Sequence, residues 1–183
     1  HRAVFCTLLL LFFFVQRMTL ESYACTHSKS MSTVFIALLP FCFKKDVTFA
    51  LVAEFSRYFL VYVLVASAFY KFYNGGLSDP SNFATVLVNQ HSDLAILNPS
   101  HICYKVASYL IAQPTLAGTS YVLLFLTQAI FIIGFFTKKY DRFLFIALFI
   151  FAVMTYFIMR IYNLDITILG LYLLLFTSKK TKP

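Results

Sequence analysis

The chain has 183 residues, 61% of them hydrophobic and only 12% charged, a composition that excludes an ordinary soluble domain and fits an integral membrane protein. Its net charge of +8 does not point to nucleic acid, because the basic residues stand at the ends of apolar segments and not in one patch, where they act as topology signals. With 23 Phe, 12 Tyr and no Trp, an aromatic belt at a membrane interface has to be built from tyrosine.

Ala3 to Val15 is an apolar run after His1-Arg2. It resembles the hydrophobic region of a signal peptide, yet no small-residue cleavage site follows, so a retained helix is expected over 3–16. A start at His1 in place of Met fits a processed or truncated protein, and further helices before it are left open. Thr19 to Ser30 is polar and contains Cys25 and His27. Met31 to Phe43, with Pro40 inside it, reads as a tilted span or a re-entrant piece. Residues 1–46 are therefore expected to form an N-terminal transmembrane extension, and 47–183 a four-helix membrane core.

Lys44-Lys45-Asp46 marks an interface, along which Val47 to Ser56 is expected to lie before the chain enters the membrane at Arg57. Thirteen uncharged residues separate Arg57 from Lys71, about 21 Å of helix. If both long side chains run along apolar surface to opposite interfaces, the effective span approaches the roughly 30 Å of hydrocarbon. Fourteen residues at about 100° each bring the two cations to nearly one helix face. Asn74-Gly75-Gly76 is a helix stop, and Asp79-Pro80 supplies an N-cap and a first-turn proline for a following helix. Residues 74–105 read as a polar external loop carrying Asp79, His91, Asp93, His101 and Cys103.

From Val106 to Thr137 there is no charge in 32 residues, too long for one straight crossing. Gln113-Pro114 and Ala117-Gly118 divide the run into a short amphipathic or re-entrant piece and a full span over 119–137. Lys138-Lys139-Tyr140-Asp141-Arg142 is a charged turn, Phe143 to Met159 returns, and Ile166 to Thr177 is the last segment. Placing Lys44-Lys45, Lys138-Lys139-Arg142 and the Lys-rich C-terminus on one side gives a consistent alternation, and the positive-inside rule makes that side cytoplasmic. In lipid each segment must satisfy its own backbone, so the expected architecture is an all-α polytopic bundle.

Arg57, Lys71 and the following Asp79-Pro80-Ser81-Asn82-Phe83, with a weaker echo in Phe151-Ala152-Val153-Met154-Thr155-Tyr156, resemble the DoxX-like membrane proteins and especially their MauE-like branch. The resemblance covers about residues 50–178. It implies a four-helix unit and a role assisting thiol or quinone oxidoreduction at the membrane. Two departures stand against that role: Gln128 occupies the place of an acidic residue common in the third core helix, and no cysteine follows Cys103, where redox-associated members often carry a pair.

The expected ligand-binding residues are Arg57, Lys71, Gln128 and Arg160. The two cations at helix ends suit a quinone or lipid headgroup, and equally suit snorkelling anchors, with Glu54 placed for a local ion pair with Arg57. Gln128 needs a polar partner inside its span, which helix–helix hydrogen bonding supplies. Arg160 stands five residues before Asp165, within reach across a turn. Cys25 and Cys103 fall on the same predicted side, as a structural disulfide or as two free thiols, while Cys6 and Cys42 read as small buried residues. His91, Asp93 and His101 match no zinc or haem spacing, and no P-loop, dinucleotide turn, nucleophile elbow or HExxH occurs. No metal and no catalytic residue is expected.

These readings converge on an accessory integral membrane subunit of a redox or electron-transfer system, with a quinone as the candidate cofactor and lipids and other membrane subunits as partners. The alternatives are a structural or assembly subunit of a larger membrane complex, and a small transporter. The expected location is a bacterial inner membrane with the C-terminus cytoplasmic, or an organellar inner membrane.

Overall fold

The computed structural model describes residues 36–73 and 82–175. Among them there is no strand. After a 3-10 turn at Leu39–Cys42, with Pro40 as its second residue, the helices are α1 Asp46–Tyr73, α2 Asn82–Gln90, α3 Ser92–Leu97, α4 Ile102–Ile111, α5 Pro114–Ala129, α6 Ile133–Phe136, α7 Asp141–Met159 and α8 Leu164–Leu175. A 3-10 stretch, Ile130–Ile132, joins α5 to α6. Three stretches are long and apolar enough to cross a membrane: Asp46–Tyr73, Pro114–Phe136 and Asp141–Met159.

Two sequence expectations change. Residues 47–56 do not form a separate segment before the Arg57 helix; they are its first three turns, since nothing between Asp46 and Arg57 breaks a helix and Asp46 in the first turn complements the helix dipole. The stretch expected as a loop is helical over α2, α3 and the start of α4, because Phe83, Leu87 and Leu94 find buried positions there. The division at Gln113-Pro114 is present: α4 ends at Ile111, Gln113 is the N-cap and Pro114 opens α5. Ala117-Gly118 is no break; both residues are buried inside α5.

The chain divides into two compact units, with the boundary inside α1 between Leu60 and Val61. In the unit built from the residues up to Leu60 and from Leu164 onward, the Ser56 hydroxyl lies 3.0 Å from the carbonyls of both Ile36 and Val52. Tyr172 on α8 donates its hydroxyl hydrogen to the Ala37 carbonyl. Ala53, Leu60, Leu169 and Leu173 are buried.

The second unit, Val61–Asn163, is the larger body of contacts. The turn at 137–140 makes α5–α6 and α7 an antiparallel hairpin. Along α7 the buried residues are Asp141, Leu144, Leu148, Phe151, Thr155 and Ile158, an alternation of three and four that puts one continuous seam toward its neighbours. The end of α1 also runs antiparallel to α5–α6: Ser67 and Lys71 meet Gln128, and Val61 meets Gly134. A Cβ on Gly134 would stand 2.8 Å from Val61 Cγ2 and 3.1 Å from Leu144 Cδ1, so this close approach of three helices requires glycine.

Helices α2 to α4 cover one end of this hairpin. Phe83 at the start of α2 lies against Tyr121 of α5, with ring centroids 5.1 Å apart, and Gln90 at its end reaches the last turn of α7. About 11 Å of helix separates these contacts, close to one interhelical distance. Helix α2 therefore bridges α5 and α7, and α4 packs against all three.

Candidate functional site

Within Val61–Asn163, α1 presents two chemically different faces. Ser67 and Lys71, one turn apart, point toward α5. There Lys71 Nζ donates to Gln128 Oε1 at 2.6 Å, and Gln128 Nε2 donates to Ser67 Oγ at 3.3 Å. An ammonium only donates, which fixes the amide with its oxygen toward Lys71 and its nitrogen toward Ser67. Gln128 is buried. It lies eight residues, about 12 Å, from the Phe136 end of its apolar stretch and about 21 Å from Pro114. Among the described residues no carboxylate pairs with Lys71, so its ammonium has one neutral protein acceptor and further N–H capacity.

The opposite face of α1 carries Tyr62, Val65, Ala66, Phe69, Tyr70 and Tyr73, a stripe at helical spacing. With Phe135 of α6 these residues line an open groove of about 590 Å³. Half-turn geometry separates this groove from Lys71: the stripe centres about 180° around the helix from it.

A second polar cluster closes the C-terminal end of α7, where the last carbonyls of a helix lack intrahelical partners. His91 Nε2 lies 2.8 Å from the Ile158 carbonyl; because a carbonyl only accepts, Nε2 carries the hydrogen. Gln90 Nε2 donates to the Met159 carbonyl, and Cys103 Sγ approaches that of Tyr156 at 3.8 Å. Asn163 Nδ2 donates to Thr155 Oγ1 at 2.6 Å. Arg160 ends the helix in the left-handed region at φ 53 and its Nη1 donates to both Asp93 carboxylate oxygens at 2.8 Å. That guanidinium holds the Asp93 carboxyl below the usual carboxylate range, and the carboxylate raises Arg160 in return.

The structure thus brings Lys71 and Gln128 together and sends Arg160 elsewhere, to Asp93. Arg57 belongs to the other unit, where it is fully buried with its guanidinium 4.9 Å over the Tyr58 ring. Cys103 is a buried free thiol. Cys25, Asp79 and Pro80 lie outside the described residues, and with them the disulfide and helix-cap expectations. His91, read from the sequence as part of a solvated loop, is buried to 1% exposure. Ala66-Ser67-Ala68 only partly meets the small Gly or Ser that DoxX-like proteins carry before the lysine, and the bond of Ser67 to Gln128 is not foreseen from sequence. Among the described residues no three metal-ligating side chains gather. Comparison with protein-family models, curated proteins and solved structures gives no match.

Proposed function

We propose that the protein is an accessory integral membrane subunit that holds an amphiphilic ligand with a carbonyl or anionic head, a quinone or a lipid, at Lys71. One observation carries this reading: a half-buried ammonium between two apolar helices that has, among the described residues, a single neutral acceptor, Gln128 Oε1. Ionisable groups at such depth are costly and mark functional sites, and an oxygen of a bound headgroup completes the hydrogen bonding that Gln128 begins. The resemblance to DoxX-like and MauE-like proteins agrees with this reading and adds the redox context. Gln128 in place of an acidic residue removes a titratable partner for Lys71 and makes the site one of binding rather than proton transfer. The expected setting is a bacterial or organellar inner membrane, with the Lys-rich turn 138–142 on the cytoplasmic side.

The test is extraction in mild detergent, followed by mass spectrometry of bound small molecules. Wild-type protein is expected to retain about one quinone or anionic lipid per chain, as a single built site requires, and Lys71→Met is expected to lose it. Equal retention by both proteins, or none by either, refutes the reading.

A second reading, a structural subunit of a larger membrane complex, is favoured by a different observation. Only 33%, 28% and 28% of the three span-length windows is buried within the chain, which leaves most of their apolar surface for lipid or other helices. Recovery of a fixed set of partner proteins that survives Lys71→Met, with no bound small molecule, supports this second reading.

A further inference from the structure

Ile96 and Leu97, at the tip of α3, are each 82% exposed, and with the exposed Ile102 at the start of α4 they make an apolar edge on either side of the turn Asn98-Pro99-Ser100-His101. Their position along the bundle is fixed from both sides. Just before them, Asp93 is held by Arg160, the residue that ends α7. Just after them, Cys103 lies against the Tyr156 carbonyl, one turn before that end. The edge therefore stands level with the last turn of α7. Helix α7 has 19 residues, about 28 Å of rise, which matches the roughly 30 Å of bilayer hydrocarbon, so its last turn falls at the hydrocarbon boundary.

The exposed residues around the edge have the composition of an interface. Helix α4 joins α5 through the short turn at Ala112-Gln113 and packs against both α5 and α7. Its exposed stripe starts at Ile102, at the level of the α7 terminus, and continues through Lys105 to Tyr109. Aliphatic groups beside Lys and Tyr are what a headgroup border collects. The half-exposed Asp93–Arg160 pair lies at the same border.

We infer that α2 to α4 form an interfacial cap, seated on the end of the α5–α7 hairpin, whose edge of Ile96, Leu97 and Ile102 inserts into the lipid of the bilayer that α5 and α7 cross. The occupant is the acyl and glycerol region of that bilayer. Gln90 and His91 fasten the cap to α7 from within, so the edge is held at its depth by the protein and is not a mobile anchor. This inference rests on the reading of α5 and α7 as membrane spans.

The sequence contains no tryptophan, so a single introduced one reports its own surroundings. The full chain carrying Leu97→Trp, or Ile96→Trp as a second variant, is reconstituted in phosphatidylcholine–phosphatidylglycerol vesicles. Matched vesicles carry bromine at a shallow or a deep acyl position. Phe149→Trp, at an exposed site in the middle of α7, is the reference. The cap predicts emission from positions 96 and 97 shifted to the blue, protected from aqueous acrylamide and quenched more by shallow than by deep bromine, as for a group about 5–10 Å into the interface; Phe149→Trp is quenched more by the deep label. If positions 96 and 97 are open to acrylamide and insensitive to brominated lipid while Phe149→Trp is quenched, the spans stand and the cap is refuted, leaving the edge for a protein partner. If Phe149→Trp also escapes lipid quenching, the membrane reading and this inference fall together.

Discussion

Replacing Gln128 by leucine removes both arms of the Lys71–Gln128–Ser67 network while keeping nearly the same volume. The 2.6 Å bond from an ammonium belongs to the charged class, about 1.5–3 kcal/mol, although comparable bonds between transmembrane helices average nearer 0.6 kcal/mol. The 3.3 Å amide–hydroxyl contact adds about 0.5 kcal/mol, and leucine recovers part of the loss through packing. A net destabilisation of about 2 kcal/mol follows, roughly 4–8 °C in Tm for a chain of this size. The assay is thermal unfolding in detergent of wild type, Gln128→Leu, Lys71→Met and the double variant. Removing one partner strands the other, whereas replacing both by apolar groups is close to neutral, so the double variant should be more stable than the sum of the single losses by at least about 1 kcal/mol. Losses that add to within about 0.5 kcal/mol would mean that Lys71 and Gln128 do not depend on each other, and the account of the site would be wrong.

Gly134→Ala forces its new methyl against Val61 Cγ2, a β-branched group that has little rotamer freedom in a helix. The overpacking costs roughly 1–3 kcal/mol and is offset by about 1 kcal/mol of helix propensity; adding Val61→Ala should restore the melting temperature. Asp93→Asn frees α3 from Arg160, and hydrogen exchange of amides 92–97, corrected for intrinsic pH dependence, should speed up at pH 7. Because the Asp93 carboxyl is depressed in the folded protein, its contribution is present above the unfolded value of about 3.9 and fades as pH falls through the folded one. Wild type should therefore keep its protection from pH 7 to 5 and converge with Asp93→Asn only in more acid solution. Loss of wild-type protection near pH 6 would assign it to another group.

The long apolar runs were legible because a span is a local property: the α5–α6 and α7 stretches, the Gln113-Pro114 division and a charged turn between the two spans can all be read from neighbouring residues, although that turn ends at Tyr140 and Asp141-Arg142 already belong to α7. Gln128 was also legible as a residue in need of a partner. That the partner is Lys71 was not, since 57 residues separate them and either cation of the Arg57 helix served equally well in sequence. Helix α3 escapes a reading of the sequence, and α2 is foreseen only as a helix beginning at Asp79-Pro80, because each is under three turns long. Their buried residues, Phe83, Leu87 and Leu94, are too few to show a period, and tertiary packing overrides such weak local signals. His91 was misread for the same reason, since burial comes from the α7 terminus that it caps.

The 3-10 stretch at Ile130–Ile132 sets which residues of α5–α6 can serve the site. In an unbroken α-helix, Gln128 and Gly134, six residues apart, would point about 120° away from each other. Three residues wound at about 120° instead of 100° add some 60°, which halves that angle and lets both face α1, one against Ser67 and Lys71 and the other against Val61. The interface is thus encoded in winding as well as in composition. A related sequence that kept Gln128 and Gly134 but regained the wider turn between them would offer α1 the amide or the cleft, and not both.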